Sequence, residues 1–384
     1  MKIAVVEAEI GERRHRLHRY GGDAPASDLE GHIGILDSAV GSETKAFTSA
    51  ALAMLVDEGK LKWTDRVVDK LPGFRMYDPY VTAHMTVRDL LTHRTGLGLG
   101  EGDLLITPTT SRDRANIVHA LRYLKPRTGF REVFAYDNIT YIAAGALVQA
   151  VSGETWEHFV EQHIFAPLGM TDSRTLYDPT APNAVALHGR TDGPIRGIGR
   201  ERILTQVLDA QAAAPCGSIN ASAVDMGKWM AMWEERGKLP GGKHLLSAAA
   251  VHELWNPIVV VPTDAFGALS PLLAGPILQD YALGWFVEDD YGHTVVEHTG
   301  AVFGALAALY IIPDKHVAFS VSIFGSQPPL MEFCFTPHLV SQLHFVYRDE
   351  GRGYPAFFTN LARYFQIGNC FHRGIPSTIR GRWI

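Results

Sequence analysis

The chain is poor in cysteine and has no long uninterrupted apolar run. Its 384 residues include three cysteines, an odd number and widely spaced: Cys216, Cys334 and Cys370. They fit a reducing compartment better than a disulfide framework. No stretch approaches the roughly 20 apolar residues that cross a bilayer, so no transmembrane helix is predicted. The G-x-S-x-G pattern is also missing, which argues against an α/β-hydrolase.

The chain also has no large excess of positive or negative charge, since the net charge is only −6. This balance argues against nucleic acid as the main partner, and the short basic run Arg13–Arg16 is interpreted as a solvated terminus. Glu7 and Glu9 interrupt the N-terminal apolar residues, so no signal peptide is predicted and the expected location is cytoplasmic. With 46% hydrophobic residues, the chain can bury the core of one or two domains.

What the sequence does contain is a serine and a lysine three positions apart, Ser42 and Lys45, at the start of a helix-like run that ends at Gly59. On a helix these positions lie on one face, one turn apart. Lys45 can then accept the Ser42 proton, and the positive end of the helix favours an oxyanion beside it. The S-x-x-K pattern is typical of serine hydrolases and penicillin-recognising enzymes. The alternative is a capping serine followed by a solvated lysine.

Two further patterns follow in the chain. Tyr136 and Asn138 form a Y-x-N, and His298–Gly300 read H-T-G where penicillin-recognising enzymes have K-T-G. The alternatives are an exposed Tyr136 in an ordinary turn, with Asn138 capping the next helix, and a structural histidine on a core-edge strand.

The surroundings of these patterns resemble the class C β-lactamase and penicillin-binding family of serine hydrolases, which also holds DD-peptidases, family VIII-type esterases and small-amide hydrolases. The resemblance covers residues from about 41 to 325. Besides the Y-x-N and the H-T-G, it rests on the segments Gly41–Phe47, Thr86–Leu97, Ile142–Gly145, Phe165–Met170, Ser222–Met226, Tyr281–Trp285 and Ile312–Asp314.

The resemblance implies an α+β fold, in which an antiparallel sheet is flanked by helices and carries a mostly helical inserted subdomain. The sheet part would comprise residues 1–65 and 225–384, and the insert residues 66–224, in one catalytic unit. The residue pattern itself predicts a helix between 154 and 165, and strands at Ile3–Val6, Ala282–Val287, Thr294–His298, Ala305–Ile312 and Val317–Phe324. The family's opening helix and paired strands are not recognisable between residues 11 and 40.

The resemblance also implies roles for individual residues. Ser42 would attack a carbonyl and form an acyl-enzyme, and Lys45 would be the nearest base. Tyr136 would protonate the leaving group and later assist a water molecule. Asn138 would offer its amide to the substrate and to Lys45.

The substrate-binding strand would contribute His298, Thr299, Gly300 and Ala301. The backbone N–H groups of Ser42 and Ala301 would hold the oxyanion. His298 is the main departure, because β-lactamases usually have a lysine there that binds the substrate carboxylate. A histidine with a pKa near 6.5 holds that charge only in acid. This difference favours ester or peptide-like amide substrates over β-lactams, and it predicts tighter binding of carboxylates below about pH 6.5.

The sequence thus predicts a serine hydrolase, an esterase or D-peptidase that acts through an acyl-enzyme on ester or peptide-like amide bonds of small molecules. It predicts no cofactor or metal and leaves the oligomeric state open. A penicillin-binding-like homologue that senses or binds without turnover is the alternative. A zinc site is disfavoured, because His293 and His298 are spaced one residue too far for H-x-x-E-H and would point to opposite faces of a strand. His93 is interpreted as stabilising its turn, and Cys216 as a small packed residue in the place of a glycine.

Overall fold

The fold, taken from a computed structural model, is built on one antiparallel sheet. The structure describes residues 2–9, 14–20, 38–106, 112–181, 184–185, 187–189, 202–203, 211–265, 279–290, 292–302 and 304–324. The strands within them are β1 Lys2–Glu9, β2 Arg14–Tyr20, β3 Ser38–Ala39, β4 His188–Gly189, β5 Arg202–Ile203, β6 Asn220–Ala221, β7 Val259–Val261, β8 Gln279–Tyr281, β9 Phe286–Asp290, β10 His293–Val302, β11 Ala305–Ile312 and β12 Val317–Phe324.

Eight of these strands form the main sheet, in the order β2-β1-β12-β11-β10-β9-β8-β7. Every neighbouring pair is antiparallel. The short strands β3 and β6 form a separate pair, and so do β4 and β5. The strands predicted at 305–312 and 317–324 are confirmed with the same bounds. They form a hairpin because Pro313 and Asp314 fill the turn between them.

Helices lie mainly between β3 and β7. They are α1 Thr44–Asp57, α2 Val67–Lys70, α3 Pro79–His84, α4 Arg114–Ala120, α5 Ile139–Ser152, α6 Trp156–Val160, α7 Ala166–Leu168, α8 Ala214–Gly217, α9 Ala223–Glu234 and α10 Ala248–Leu254. Shorter 3-10 turns occur at Gly41–Glu43, Arg88–Leu91, Asp103–Leu105, Leu121–Tyr123 and Gln211–Ala213, and a π-helical turn at Glu161–Phe165. The predicted α+β architecture is confirmed; the division of the chain at residues 65 and 225 stays a prediction.

The core surrounds α1, which packs against α5, α8 and α10. Most of its residues are buried on all sides, so this helix has little amphipathic character. Phe47 of α1 stacks on Trp229 of α9 with ring centroids 3.9 Å apart, and Trp233, Trp255 and Trp285 extend the aromatic cluster. Because α9 also packs on β1 and β12, this cluster ties the helices to the sheet.

One strand prediction is wrong. The apolar run 282–287 is not continuous strand, since β8 ends at Tyr281 and β9 begins at Phe286. The residues between form a buried turn closed by the N–H of Ala282 donating to the carbonyl of Trp285 (2.8 Å). Gly284 there has a φ of +84°, and a Cβ on it would lie 2.3 Å from Ser49 Oγ of α1. The turn is apolar because it packs on α1, and an apolar run alone does not distinguish this from a buried strand.

The N-terminal residues correct a second prediction. Paired strands do exist there: β1 pairs with β12 over its whole length, and β2 pairs with β1. Arg14–Arg16 therefore belong to an edge strand, whereas Arg13 lies outside the described residues. The strand was missed because its polar sequence has no apolar alternation, and an edge strand is defined mainly by its backbone pairing. The predicted lack of an opening helix falls partly at residues 21–37, outside the described residues.

Within the described part of the chain, no helix combines the length and apolarity required to span a membrane.

Candidate active site

Ser42 and Lys45 lie together at the start of α1. Ser42 is in the 3-10 turn that leads into the helix, and it is half-buried, whereas Lys45 in the first helical turn is fully buried. Lys45 Nζ is 3.0 Å from Ser42 Oγ. The arrangement predicted from the three-residue spacing is therefore present, and the alternative of a solvated lysine is wrong.

Two more oxygens contact the Lys45 ammonium. Nζ donates to Asn138 Oδ1 at 2.9 Å and to the backbone carbonyl of Cys216 at 2.8 Å. The ring centroids of Tyr136 and Tyr141 lie 4.9 and 5.4 Å away, within range of a cation–π attraction. With Ser42 Oγ as the third partner, every N–H of the ammonium is used. The buried charge is thus solvated entirely by the protein.

Tyr136 and Asn138 come from the loop that enters α5. The Tyr136 side chain is 9% exposed, so it does not sit in an ordinary surface turn. Asn138 occupies the N-cap position of α5 but makes no capping bond through its side chain. Its Nδ2 donates instead to Asp103 Oδ1 at 3.2 Å. Asn138 therefore links the lysine to a carboxylate that the sequence had not indicated.

The predicted substrate-binding strand is β10, which includes His298, Thr299, Gly300 and Ala301. This strand lies backbone against backbone with the turn that carries Ser42. A Cβ on Gly300 would lie 1.8 Å from the carbonyl oxygen of Val40, and a Cβ on Gly41 (φ +54°) would lie 2.6 Å from the backbone nitrogen of Ala301. Two glycines therefore permit the close approach between the Ser42 turn and β10.

His298 is buried and neutral. Its Nδ1 lies 2.7 Å from the Thr299 carbonyl, which only accepts, so Nδ1 holds the proton and Nε2 accepts from the hydroxyl of Tyr281 at 3.2 Å. Burial, together with the nearby charge of Lys45, lowers the pKa of His298 to about 3. The predicted gain of positive charge below pH 6.5 is therefore wrong, because desolvation outweighs the ordinary basicity of imidazole.

A pH experiment follows from this low pKa. Since His298 stays neutral above about pH 4, acidification from about pH 8 to about pH 5 should not improve carboxylate binding. We expect the ratio of KM values for N-succinyl- and N-acetyl-D-phenylalanine p-nitroanilide to change by less than about twofold over this range. A several-fold fall of this ratio at the acid end, lost in His298→Asn, would contradict the neutral assignment.

A buried carboxyl group and a buried thiol also lie close to the site. Burial raises the pKa of Asp137 to about 7, although its carboxyl oxygens accept from the N–H of Ile139 (2.7 Å) and the hydroxyl of Thr95 (3.2 Å). Burial raises the pKa of the Cys216 thiol to about 11, so this cysteine is a neutral packed side chain, as predicted. Its contribution is the backbone carbonyl on Lys45, which no side-chain pattern indicates.

His93 is fully buried beside Tyr136, and its backbone carbonyl accepts from the N–H of Ala135 at 2.6 Å, which ties its turn to the loop before Tyr136. That His93 stabilises its turn stays a prediction. Among the described residues, no three His, Cys, Asp or Glu side chains converge to form a metal site. Together, the described side chains bring a hydroxyl, an amine, a phenol and an amide to one point, where the Ser42 turn lies against β10.

The sequence is similar to a penicillin-binding protein and to a hydrolase. Penicillin-binding protein 4 of Amycolatopsis lactamdurans is 27% identical over 313 residues, which cover 80% of this chain and 76% of that protein. An unguisins hydrolase of Aspergillus campestris is 28% identical over 286 residues. That alignment covers 71% of this chain and 50% of the hydrolase, so the chain spans about half the length of this relative.

The fold is likewise similar to solved structures. The D-amino acid amidase of Ochrobactrum anthropi SV3, in complex with D-phenylalanine, superposes with a TM-score of 0.67 at 18% identity, over 88% of this chain and 91% of the amidase. The sequence model of the Beta-lactamase family matches residues 38–335, more than three quarters of the chain. The chain therefore belongs to the Beta-lactamase family and is a serine hydrolase.

Proposed function

We propose that this serine hydrolase cleaves ester or peptide-like amide bonds through an acyl-enzyme on Ser42. The observation that carries the proposal is the set of partners around Lys45 Nζ. Asn138 Oδ1 and the Cys216 carbonyl can only accept hydrogen bonds, so they use the two N–H groups that a lysine has in both protonation states. The third direction points to Ser42 Oγ, which can either accept or donate. Proton exchange is thus directed to the serine.

Acylation begins once the Lys45 ammonium has lost the proton that it directs at Ser42 Oγ, because the neutral amine then has a lone pair on that side. Lys45 accepts the hydroxyl proton as Ser42 Oγ attacks the substrate carbonyl carbon, and the tetrahedral oxyanion receives hydrogen bonds from the backbone N–H groups of Ser42 and Ala301. Tyr136, next to Lys45, passes a proton to the leaving alcohol or amine as the bond to it breaks. The products of this step are the acyl-enzyme and the released leaving group.

Deacylation reverses the roles. Water replaces the leaving group, Tyr136 and Lys45 take one of its protons, and the hydroxyl attacks the acyl carbon. The second tetrahedral intermediate collapses to the carboxylic acid, and the proton returns to Ser42 Oγ. The protein supplies every proton acceptor and donor in the cycle, so the reaction consumes only water.

The charges around the site favour substrates without a carboxylate. His298 is neutral, and the Lys45 ammonium is fully used by its three oxygen partners. Among the described residues of the loop beside Asn138, Arg127 pairs with Glu101 (2.8 Å), and Asp103 adds a negative charge next to the Asn138 amide. A substrate carboxylate next to the Asn138 amide would be repelled by the Asp103 carboxylate. This supports neutral or amine-bearing esters and amides over β-lactams.

The comparisons support amide chemistry as one of the options. The fold is shared with an enzyme named for D-amino acid amides, and the relatives include a penicillin-binding protein and a hydrolase named for unguisins. We therefore place small D-configured amides beside simple esters as substrates to be screened.

Labelling with a fluorophosphonate probe tests the function. We expect intact-mass analysis to show a single adduct on the wild-type protein and none on Ser42→Ala. Ser49→Ala is the matched control, because Ser49 is a buried serine two turns further along α1, and it should label like the wild type. No adduct on a protein that circular dichroism shows to be folded would reject the acyl-enzyme and support the binding homologue.

A further inference from the structure

His93 binds both residues that flank Tyr136. Its backbone carbonyl accepts from the N–H of Ala135 at 2.6 Å, and its side-chain Nδ1 accepts from the N–H of Asp137 at 3.0 Å. One residue, 43 positions earlier in the chain, therefore fixes the backbone on either side of the tyrosine. The first bond uses only the backbone and would form with other residues at position 93, whereas the second requires a side-chain acceptor.

The His93 ring also fixes the ring of Tyr136. The two centroids lie 4.1 Å apart at an interplanar angle of 32°. On its other sides the imidazole contacts Tyr281 at 4.5 Å, Tyr141 at 5.3 Å and Phe134 at 5.7 Å. These rings are buried, so a shift of His93 would move Tyr136 directly.

Other features of His93 are unfavourable for a residue that only fills space. Because Nδ1 accepts a hydrogen bond in the neutral ring, Nε2 holds the proton, and this buried N–H has no partner among the described residues. The backbone has a φ of +52°, in the left-handed region that few side chains adopt easily. An apolar residue would avoid the unpaired donor, and a glycine would avoid the strain. What neither could provide is the acceptor for Asp137 together with a stacking ring.

We propose that His93 is a positioning residue that holds the backbone and ring of Tyr136 against Lys45. This inference rests on the proposed function only where it predicts that His93 substitutions slow turnover. The placement of Tyr136 itself is a structural claim that can be measured without any substrate.

Three substitutions separate the contributions of His93. In His93→Asn, the Oδ1 atom takes the place of Nδ1 as acceptor, and asparagine tolerates the left-handed backbone. His93→Gln is the matched control, since its amide lies one bond further from the Asp137 N–H. His93→Gly removes side-chain contacts without backbone strain. Thermal unfolding of each variant is measured first, so that activity is compared only among folded proteins.

The kinetic result we expect is specific to Tyr136. The Gly and Gln variants should lose about 10²-fold in kcat for p-nitrophenyl butyrate with little change of KM, and the Asn variant at most about tenfold. In a Tyr136→Phe background the same His93 substitutions should cost less than about threefold, because the group that they misplace is already missing. Equal losses in both backgrounds would overturn the proposal.

The second measurement is independent of activity. Protein labelled with 13C at the tyrosine ζ position gives one resonance for each tyrosine, and Tyr136→Phe identifies that of Tyr136. We expect His93→Gln to shift or broaden the Tyr136 resonance more than His93→Asn does, while exposed Tyr123 stays unchanged. An unchanged Tyr136 resonance in both variants would overturn the proposal, whether or not the wild type turns over.

Discussion

Replacing Lys45 by methionine should lower kcat/KM for p-nitrophenyl butyrate by about 10³- to 10⁴-fold. Methionine has nearly the length and shape of the lysine stem, so it fills the same volume in the core. It has no lone pair on nitrogen to accept the Ser42 proton and no N–H to orient Asn138. The loss should therefore appear in kcat and in the rate of fluorophosphonate labelling, and not mainly in KM.

The thermal stability of Lys45→Met distinguishes a loss of catalysis from a loss of folded protein. Removing the ammonium leaves the Asn138 amide oxygen and the Cys216 carbonyl without their donor, at a cost of about 1–3 kcal/mol each. The removal of a fully buried charge offsets part of that cost. We expect a folded protein whose melting temperature differs from the wild type by a few degrees. Lys60→Met, at an exposed salt bridge, is the control and should keep full activity. Substantial residual turnover in a folded Lys45→Met protein would remove Lys45 from the mechanism.

Gly300→Ala should lower kcat/KM by about 10²- to 10³-fold, through a single added methyl group. The new Cβ would lie 1.8 Å from the Val40 carbonyl oxygen and 3.0 Å from the backbone nitrogen of Ser42. Both of these atoms are backbone, so no side chain can rotate away, and β10 must move. The N–H of Ala301 would then leave the position from which, in the proposed mechanism, it stabilises the oxyanion.

A nearby glycine provides the matched control for this substitution. A Cβ on Gly217 would meet its nearest atom, the backbone of Gly41, at 3.8 Å, which is ordinary van der Waals contact. Gly217→Ala should therefore retain activity within about threefold, and Gly300→Ala should also lose about 1–3 kcal/mol of stability from overpacking. Rates for both variants are measured with p-nitrophenyl butyrate, and unfolding is followed by circular dichroism. Wild-type turnover by Gly300→Ala would show that this close approach does not define the oxyanion site.

The part of the site that could be predicted from the sequence is the part whose geometry is local. Ser42 and Lys45 are one helical turn apart, so their contact follows from the period of an α-helix. The strands β11 and β12 were predicted with the right bounds for the same reason, because their turn residues stand between two β-branched and aromatic runs. Tyr136 and Asn138 were placed by resemblance, and the structure brings both to Lys45.

The remainder depends on contacts that have no local pattern. The Cys216 carbonyl is a backbone atom, so its role on Lys45 does not depend on which side chain stands there. Asp103 lies 35 residues before Asn138, in a loop without periodicity. The charge of His298 could not be predicted either, because its pKa is determined by burial and by Lys45 and not by the residue type. The buried turn at Gly284 was mistaken for a strand for a similar reason, since its residues are apolar because they pack on α1 and not because they belong to a strand.

The three hydrogen bonds of Lys45 also determine when this site can form during folding. Ser42 is three residues away, but Asn138 is 93 residues away and the Cys216 carbonyl 171 residues away. Two long loops must therefore close before the ammonium is satisfied, and contacts of such high sequence separation form slowly. A nascent or refolding chain can form α1 early, with its serine already beside its lysine, and still be inactive. If Ser42 is the nucleophile, as proposed, it becomes competent only when the distant segments have docked, which delays hydrolytic activity until the protein is nearly native.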